Sequence, residues 1–158
     1  MNYKELNSAF KKINNWYEKK SKVLTVKTRP FNTSIVFSNL INKVLYDNGK
    51  ILYVWCCNDK EQVKKRKREY YNILIGEQEK NHIGDNIHFI TIDSLSEVYD
   101  EFDLVVFDDI TVFSTVSKDE LRDAVEEIYW RSGKIIIYSS EYVFPIGNKM
   151  ELAYLLDN

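Results

Sequence analysis

The chain has 158 residues, 44% of them hydrophobic and 29% charged, with five glycines, two prolines and a net charge of -2. A chain of this length buries roughly 70% of its unfolded surface as one domain, so an ordinary core is expected, with little room for flexible linkers or low-complexity stretches and no disorder expected except at the ends. No run reaches the ~18 apolar residues of a membrane span, and the charged start (Lys4, Glu5, Lys11, Lys12) is not a secretory signal, so a cytoplasmic protein with no membrane partner is expected.

Leu6, Phe10, Ile13 and Tyr17 recur at helical spacing, which predicts an amphipathic helix over residues 3–20, packed on a single α/β domain that spans 1–158. Residues 22–28 read as a short strand. After a loop at Pro30, a helix is expected over 33–46, with Ile35, Leu40, Ile41, Val44 and Leu45 on its apolar side. Asp47-Asn48-Gly49 should end it, with the glycine as the cap. A strand over 50–57 follows, then a basic helix over 59–76 that turns Val63, Tyr70, Tyr71 and Leu74 to the sheet. Strands are expected at 87–92, 103–108 and 134–139, a short helical turn at 94–99, a helix at 118–131 and a last helix at 149–156.

The runs Leu-Val-Val-Phe and Ile-Ile-Ile-Tyr are continuous rather than alternating, as in strands buried on both faces, and strands separated by helices require parallel crossovers. The expected fold is a three-layer α/β sandwich with a mainly parallel, five-stranded sheet. Strands 22–28 and 103–108 should lie near its middle. Cys56 and Cys57 are adjacent in a strand, so alternation sends them to opposite faces. That spacing excludes a disulfide framework, and with His82 and His88 isolated no metal centre is expected; buried thiols in a reducing compartment fit better.

Between the first strand and its helix lies Lys27-Thr28-Arg29-Pro30-Phe31-Asn32-Thr33-Ser34. It has the length and position of the phosphate-binding loop G-x-x-x-x-G-K-[ST] but keeps only the final hydroxyl. Lys27 stands at the first glycine, Asn32 at the second, and Thr33 at the lysine. Ligands of open parallel sheets bind at the carboxyl ends of the strands. Those ends carry Asp93 and Ser94, Asp108 and Asp109, and Ser139, Ser140 and Glu141.

Phe102-Asp103-Leu104-Val105-Val106-Phe107-Asp108-Asp109 resembles a Walker B segment, and Tyr138-Ser139-Ser140 resembles the hydroxyl motif on the next strand of helicases. Together with the order of elements over residues 22–141, the chain resembles the RecA-like domain of P-loop NTPases, closest to the first motor domain of a helicase, with a degenerate Walker A loop. The resemblance implies a nucleotide or anion site at Lys27, Arg29, Thr33, Ser34 and Ser139. Asp108 would hold magnesium if Mg-ATP were bound, and Asp108 and Asp109 would be the catalytic positions. Each has a plainer use: Asp108 and Asp109 as caps of a loop, Ser139 as a loop hydrogen-bonder, Thr33 and Ser34 as helix N-caps.

Physical chemistry argues against tight nucleotide binding. A phosphate loop needs glycine-like backbone angles to aim its N–H groups inward, Pro30 has no N–H, and loss of the lysine forfeits roughly 1.5–3 kcal/mol. That is about one to two powers of ten in affinity. The helix N-terminus offers an anion only about 0.3–1 kcal/mol, up to ~2 if partly buried, although Lys27 or Arg29 could fold back to supply charge. The expected function is a non-hydrolysing binding or regulatory module without a cofactor, working with a protein partner or a second RecA-like domain in trans. The alternatives are a divergent ATPase using Mg-ATP, and a nucleic-acid accessory protein. The last would use Lys64, Lys65, Arg66, Lys67 and Arg68, the core of a segment (60–71) with six basic residues against Glu61 and Glu69. Against this stands the ordinary use of such a run as a solvated helix face. Residues 93–127 carry twelve carboxylates against Lys118 and Arg122, so the molecule should be electrically polarised.

Overall fold

The computed structural model describes residues 3–27, 33–57, 59–61, 64–65, 67–68, 84–109, 116–139 and 147–151. Along them run α1 (Tyr3–Glu18), β1 (Val23–Lys27), α2 (Thr33–Tyr46), β2 (Ile51–Trp55), β3 (Ile87–Thr91), β4 (Phe102–Asp109), α3 (Lys118–Ile128), β5 (Ser132–Ser139) and β6 (Asn148–Glu151). Short 3-10 segments occupy Gly84–Asn86, Ile92–Glu97 and Tyr129–Arg131. Residues 60, 61, 64, 65, 67 and 68 are helical.

The strands form one six-stranded sheet, ordered β3-β2-β4-β5-β1-β6 and parallel at every pairing. The expected five strands are therefore one too few. The extra strand is β6, where a final helix over 149–156 was expected; residues 152–156 lie outside the described residues. Four residues are too few to show a period of their own, and what makes Asn148–Glu151 a strand is the free edge of β1, with Leu24 opposite Asn148 and Lys27 opposite Glu151. Gly147 makes the approach possible. Its φ is +72°, and a Cβ there would lie 2.2 Å from the Val23 carbonyl oxygen. β4 and β5 are the central pair, and β1 is interior but second from the edge.

The chain moves from β1 to β2 in one direction along the sheet and from β4 to β5 in the other, so right-handed crossovers place α2 and α3 on opposite faces. Two buried clusters result. One joins α1 and α2 to Leu24, Val26, Tyr53, Trp55, Val106 and Tyr138. The other joins α3 to Val23, Leu52, Val54, Phe107, Ile135 and Ile137. Cys57 lies in the first and Cys56 in the second, as alternation requires.

In α1 the fully buried residues are Ala9, Ile13 and Trp16, while Leu6, Phe10 and Tyr17 are half-buried, so the apolar stripe is rotated slightly from the one the spacing suggested. Helix α1 is tied to α2 by Asn14 Nδ2 donating to Asn39 Oδ1 at 2.9 Å and by a Lys43–Glu18 ion pair at 2.8 Å. α2 matches its expected bounds, but its cap is a different residue. Asn48, not Gly49, takes the left-handed conformation, with φ +60°. The N–H of Gly49 donates to Val44 O at 2.8 Å and that of Asn48 to Leu45 O at 3.1 Å, a Schellman end. Gly49 is needed for space, because a Cβ there would lie 2.6 Å from Val44 Cγ1. At the start of α3, Ser117 Oγ accepts from the Glu120 N–H at 3.2 Å, an N-cap.

Candidate nucleotide-binding edge

The carboxyl ends of β1, β5, β4 and β2 lie side by side. Lys27 is paired with Ser139, and Ser139 with Asp109, so three of the expected residues form one row across the sheet. One step back, Asp108 stands between Trp55 and Tyr138. The β4 ladder continues past Trp55, with Cys56 N–H donating to Asp108 O at 3.0 Å. Because the connections leaving β1 and β4 cross to opposite faces, this edge has the form of a topological switch point.

Alternation fixes where each side chain goes. Leu104, Val106 and Asp108 share the α1/α2 face, and Val105 and Phe107 the α3 face. Asp108 is 1% exposed, and its Oδ2 accepts a 2.5 Å hydrogen bond from the hydroxyl of Tyr53, itself fully buried. The phenol is held by neighbours on both sides, with ring centroids 4.8 Å from Trp55 and 5.5 Å from Phe89. A hydrogen bond to a buried carboxylate is worth roughly 1.5–3 kcal/mol, and removing the donor exposes a desolvation cost of similar size. The Cys57 thiol, on the same face, is pushed up, first by burial and then by the negative charges of Asp59, Asp108 and Asp93. It is therefore a protonated core group rather than a nucleophile.

No protein-family model and no curated protein matches this chain. Lys27 is half-buried and Ser139 fully buried at their strand ends. Thr33 and Ser34 are the first residues of α2, and Asp109 is the last of β4; their side chains lie outside the described residues, as do Arg29, Arg66, Ser140 and Glu141. So do Val63, Tyr70, Tyr71 and Leu74 of the basic helix. Asp93 is exposed on the 3-10 segment after β3, where Ser94 Oγ sits 3.4 Å from Thr91 Oγ1. Lys64, Lys65, Lys67 and Arg68 are exposed and helical, and Lys64 pairs with Glu61 at 3.6 Å. Among the described residues no group of three or more His, Cys, Asp or Glu is placed to hold a metal ion, and no helix is long and apolar enough to cross a membrane.

Tyr53 is the residue that sequence reasoning missed. Its partner is distant in the chain, but a tyrosine inside the apolar run Ile-Leu-Tyr-Val-Trp is itself a signal, because a buried phenol needs a hydrogen-bond partner.

Proposed function

We propose that this protein is a non-hydrolysing relative of RecA-like P-loop NTPase domains, acting as a binding or regulatory module. The strand order supports the kinship, since β4 with its Asp108-Asp109 end is separated from β1 by β5 alone. The observation that carries the loss of hydrolysis is the Tyr53–Asp108 bond. The carboxylate at the position that would hold magnesium is turned into the α1/α2 core, where a phenol holds it. On this reading the edge does not fit a magnesium nucleotide. Freeing Asp108 would break a buried charged hydrogen bond, and the loop before α2 has neither the glycines nor the lysine that cradle phosphates. Two buried thiols suit a reducing compartment. The partner is a protein surface or a second RecA-like domain in trans.

Calorimetry with ATP and magnesium, with phosphate release measured in parallel, is the test. No low-micromolar binding and no turnover are expected. A low-micromolar dissociation constant that Asp108→Ala weakens would establish the divergent ATPase instead.

A second reading has its own observation, the exposed cations Lys60, Lys64, Lys65, Lys67 and Arg68 on one helical stretch. If they meet a nucleic-acid backbone, log K falls with log salt by about 0.9 per phosphate contact on duplex, giving a slope of roughly -3 to -4. Neutralising Lys64, Lys65 and Arg66 together should flatten the slope. Absence of binding at ~50 mM salt returns the segment to a solvated helix face.

A further inference from the structure

At the amino-terminal end of the sheet, opposite the edge just described, a cavity of about 400 Å³ opens between α1, β1 and β6. Lys12, Asn15, Trp16 and Lys19 reach it from α1, Asn148 and Lys149 line it from β6, and Leu24 lies at its base. The spacing of the α1 residues explains their convergence, because positions three, four and seven apart share one side of a helix. Asn148 is brought there by its pairing with Leu24. Among the described residues no carboxylate lines the cavity; its polar side chains carry ammonium and amide groups.

Trp16 is 3% exposed, and its Nε1–H has no acceptor among the described residues. That nitrogen is itself enclosed, so the indole borders the cavity and reports on it without offering its N–H to a ligand there. A further cation stands close by. The Lys134 ammonium lies 5.1 Å from the centre of the Trp16 ring, where it donates to the carbonyl oxygens of Lys19 and Ser21. The site therefore gathers several positive charges around one open space.

We propose that this cavity binds a small polyanion carrying phosphate oxygens. Phosphate offers several acceptor oxygens and more than one negative charge, so it can meet two or three lysines and an asparagine amide together, and lysine is a common phosphate-binding side chain. A monocarboxylate brings fewer oxygens and half the charge. The site is independent of the carboxyl-end edge and stands or falls separately from the proposed function. It also separates two ways in which ATP could be retained, since binding lost on changing Lys12 and Lys19 belongs here and binding lost on changing Asp108 belongs to the edge.

The experiment is a titration of the folded protein with pyrophosphate in low-salt buffer, followed through the indole N–H signals of the three tryptophans in a proton–nitrogen correlation spectrum. The Trp16 signal is identified by its loss in Trp16→Phe. A saturable displacement of that signal is expected, with a dissociation constant of about 1 mM or tighter, while the exposed Trp130 signal stays in place. The double variant Lys12→Gln/Lys19→Gln changes two exposed side chains and so keeps the fold; it should weaken binding about tenfold. A displacement that does not saturate, that sodium chloride at matched ionic strength reproduces, or that the double variant leaves unchanged overturns the proposal. Should Trp16→Phe fail to fold, the lysine variant decides alone.

Discussion

The two faces of the sheet are built from different chemistry. On the α3 face the buried aromatics are Phe102 and Phe107, set among valine, leucine and isoleucine. On the α1/α2 face lie Trp16, Tyr53, Trp55 and Tyr138, each with a polar handle, and with them the carboxylate of Asp108. Apart from the buried hydroxyl residues Thr25 and Ser139, the first face stabilises by apolar area, while the second also holds a charged hydrogen bond whose loss leaves a polar group stranded. Shape is the demand on one side, and shape with a placed hydrogen bond, Tyr53 to Asp108, on the other.

The largest test of that contrast is Phe107→Ala on the apolar face. It should cost about 3–5 kcal/mol in urea unfolding through lost transfer and a cavity, with the denaturant slope unchanged. On the other face Tyr53→Phe removes a single oxygen and should still cost about 1–3 kcal/mol. A double-mutant cycle with Asp108→Asn sharpens the point, because a real bond gives a coupling of about 0.5–3 kcal/mol. Coupling within ~0.3 kcal/mol would mean that the two faces differ only in shape. Asn48→Ala puts a side chain without a local hydrogen bond in the left-handed region and should cost about 1–2 kcal/mol by thermal or chemical melting. Asn48→Gly should match or exceed the parent, and equal losses in both would refute the capping account.

The smallest effect is expected at the Glu18–Lys43 clip between α1 and α2. The Lys43 ammonium hydrogen bond, with its charge, holds the Glu18 carboxyl below its ordinary 4.5. Since the folded value is the lower one, the clip contributes above 4.5 and its contribution is lost as pH falls through the folded value. Both side chains are substantially exposed, so Glu18→Gln should shift the unfolding midpoint slightly at neutral pH and low salt, and not at all at high salt. A shift that persists at high salt would point to packing rather than charge.

What could be read in advance was whatever is local. Helix α2 is announced by its apolar spacing and by the Asp47-Asn48-Gly49 that follows it, and the apolar runs of β4 and β5 announce strands buried on both faces. The rest depended on contacts made elsewhere. Asn48 takes the left-handed turn, while Gly49 is glycine because Val44 leaves no room for a side chain there, and the order Asp-Asn-Gly does not declare that division. Strand β6 exists because β1 has an edge to fill, and nothing inside Asn148–Glu151 says so. At the candidate edge, the aspartate pair was visible, but the partner that immobilises Asp108 belongs to another strand, and no spacing rule links it to Tyr53.

The placement of β1 also governs the order in which the molecule can be made. Its neighbours are β5 and β6, the last two strands along the chain, and Val23 waits for Ile135. During synthesis at about 5–20 residues per second, the segment Val-Leu-Thr-Val-Lys must stay soluble for several seconds with neither edge satisfied. Distant parallel pairings of this kind close slowly because loop entropy precedes any reward. Helices α1 and α2 flank that segment in the chain, so they can shelter one side of it early, while its other side stays bare until α3 and β5 have emerged.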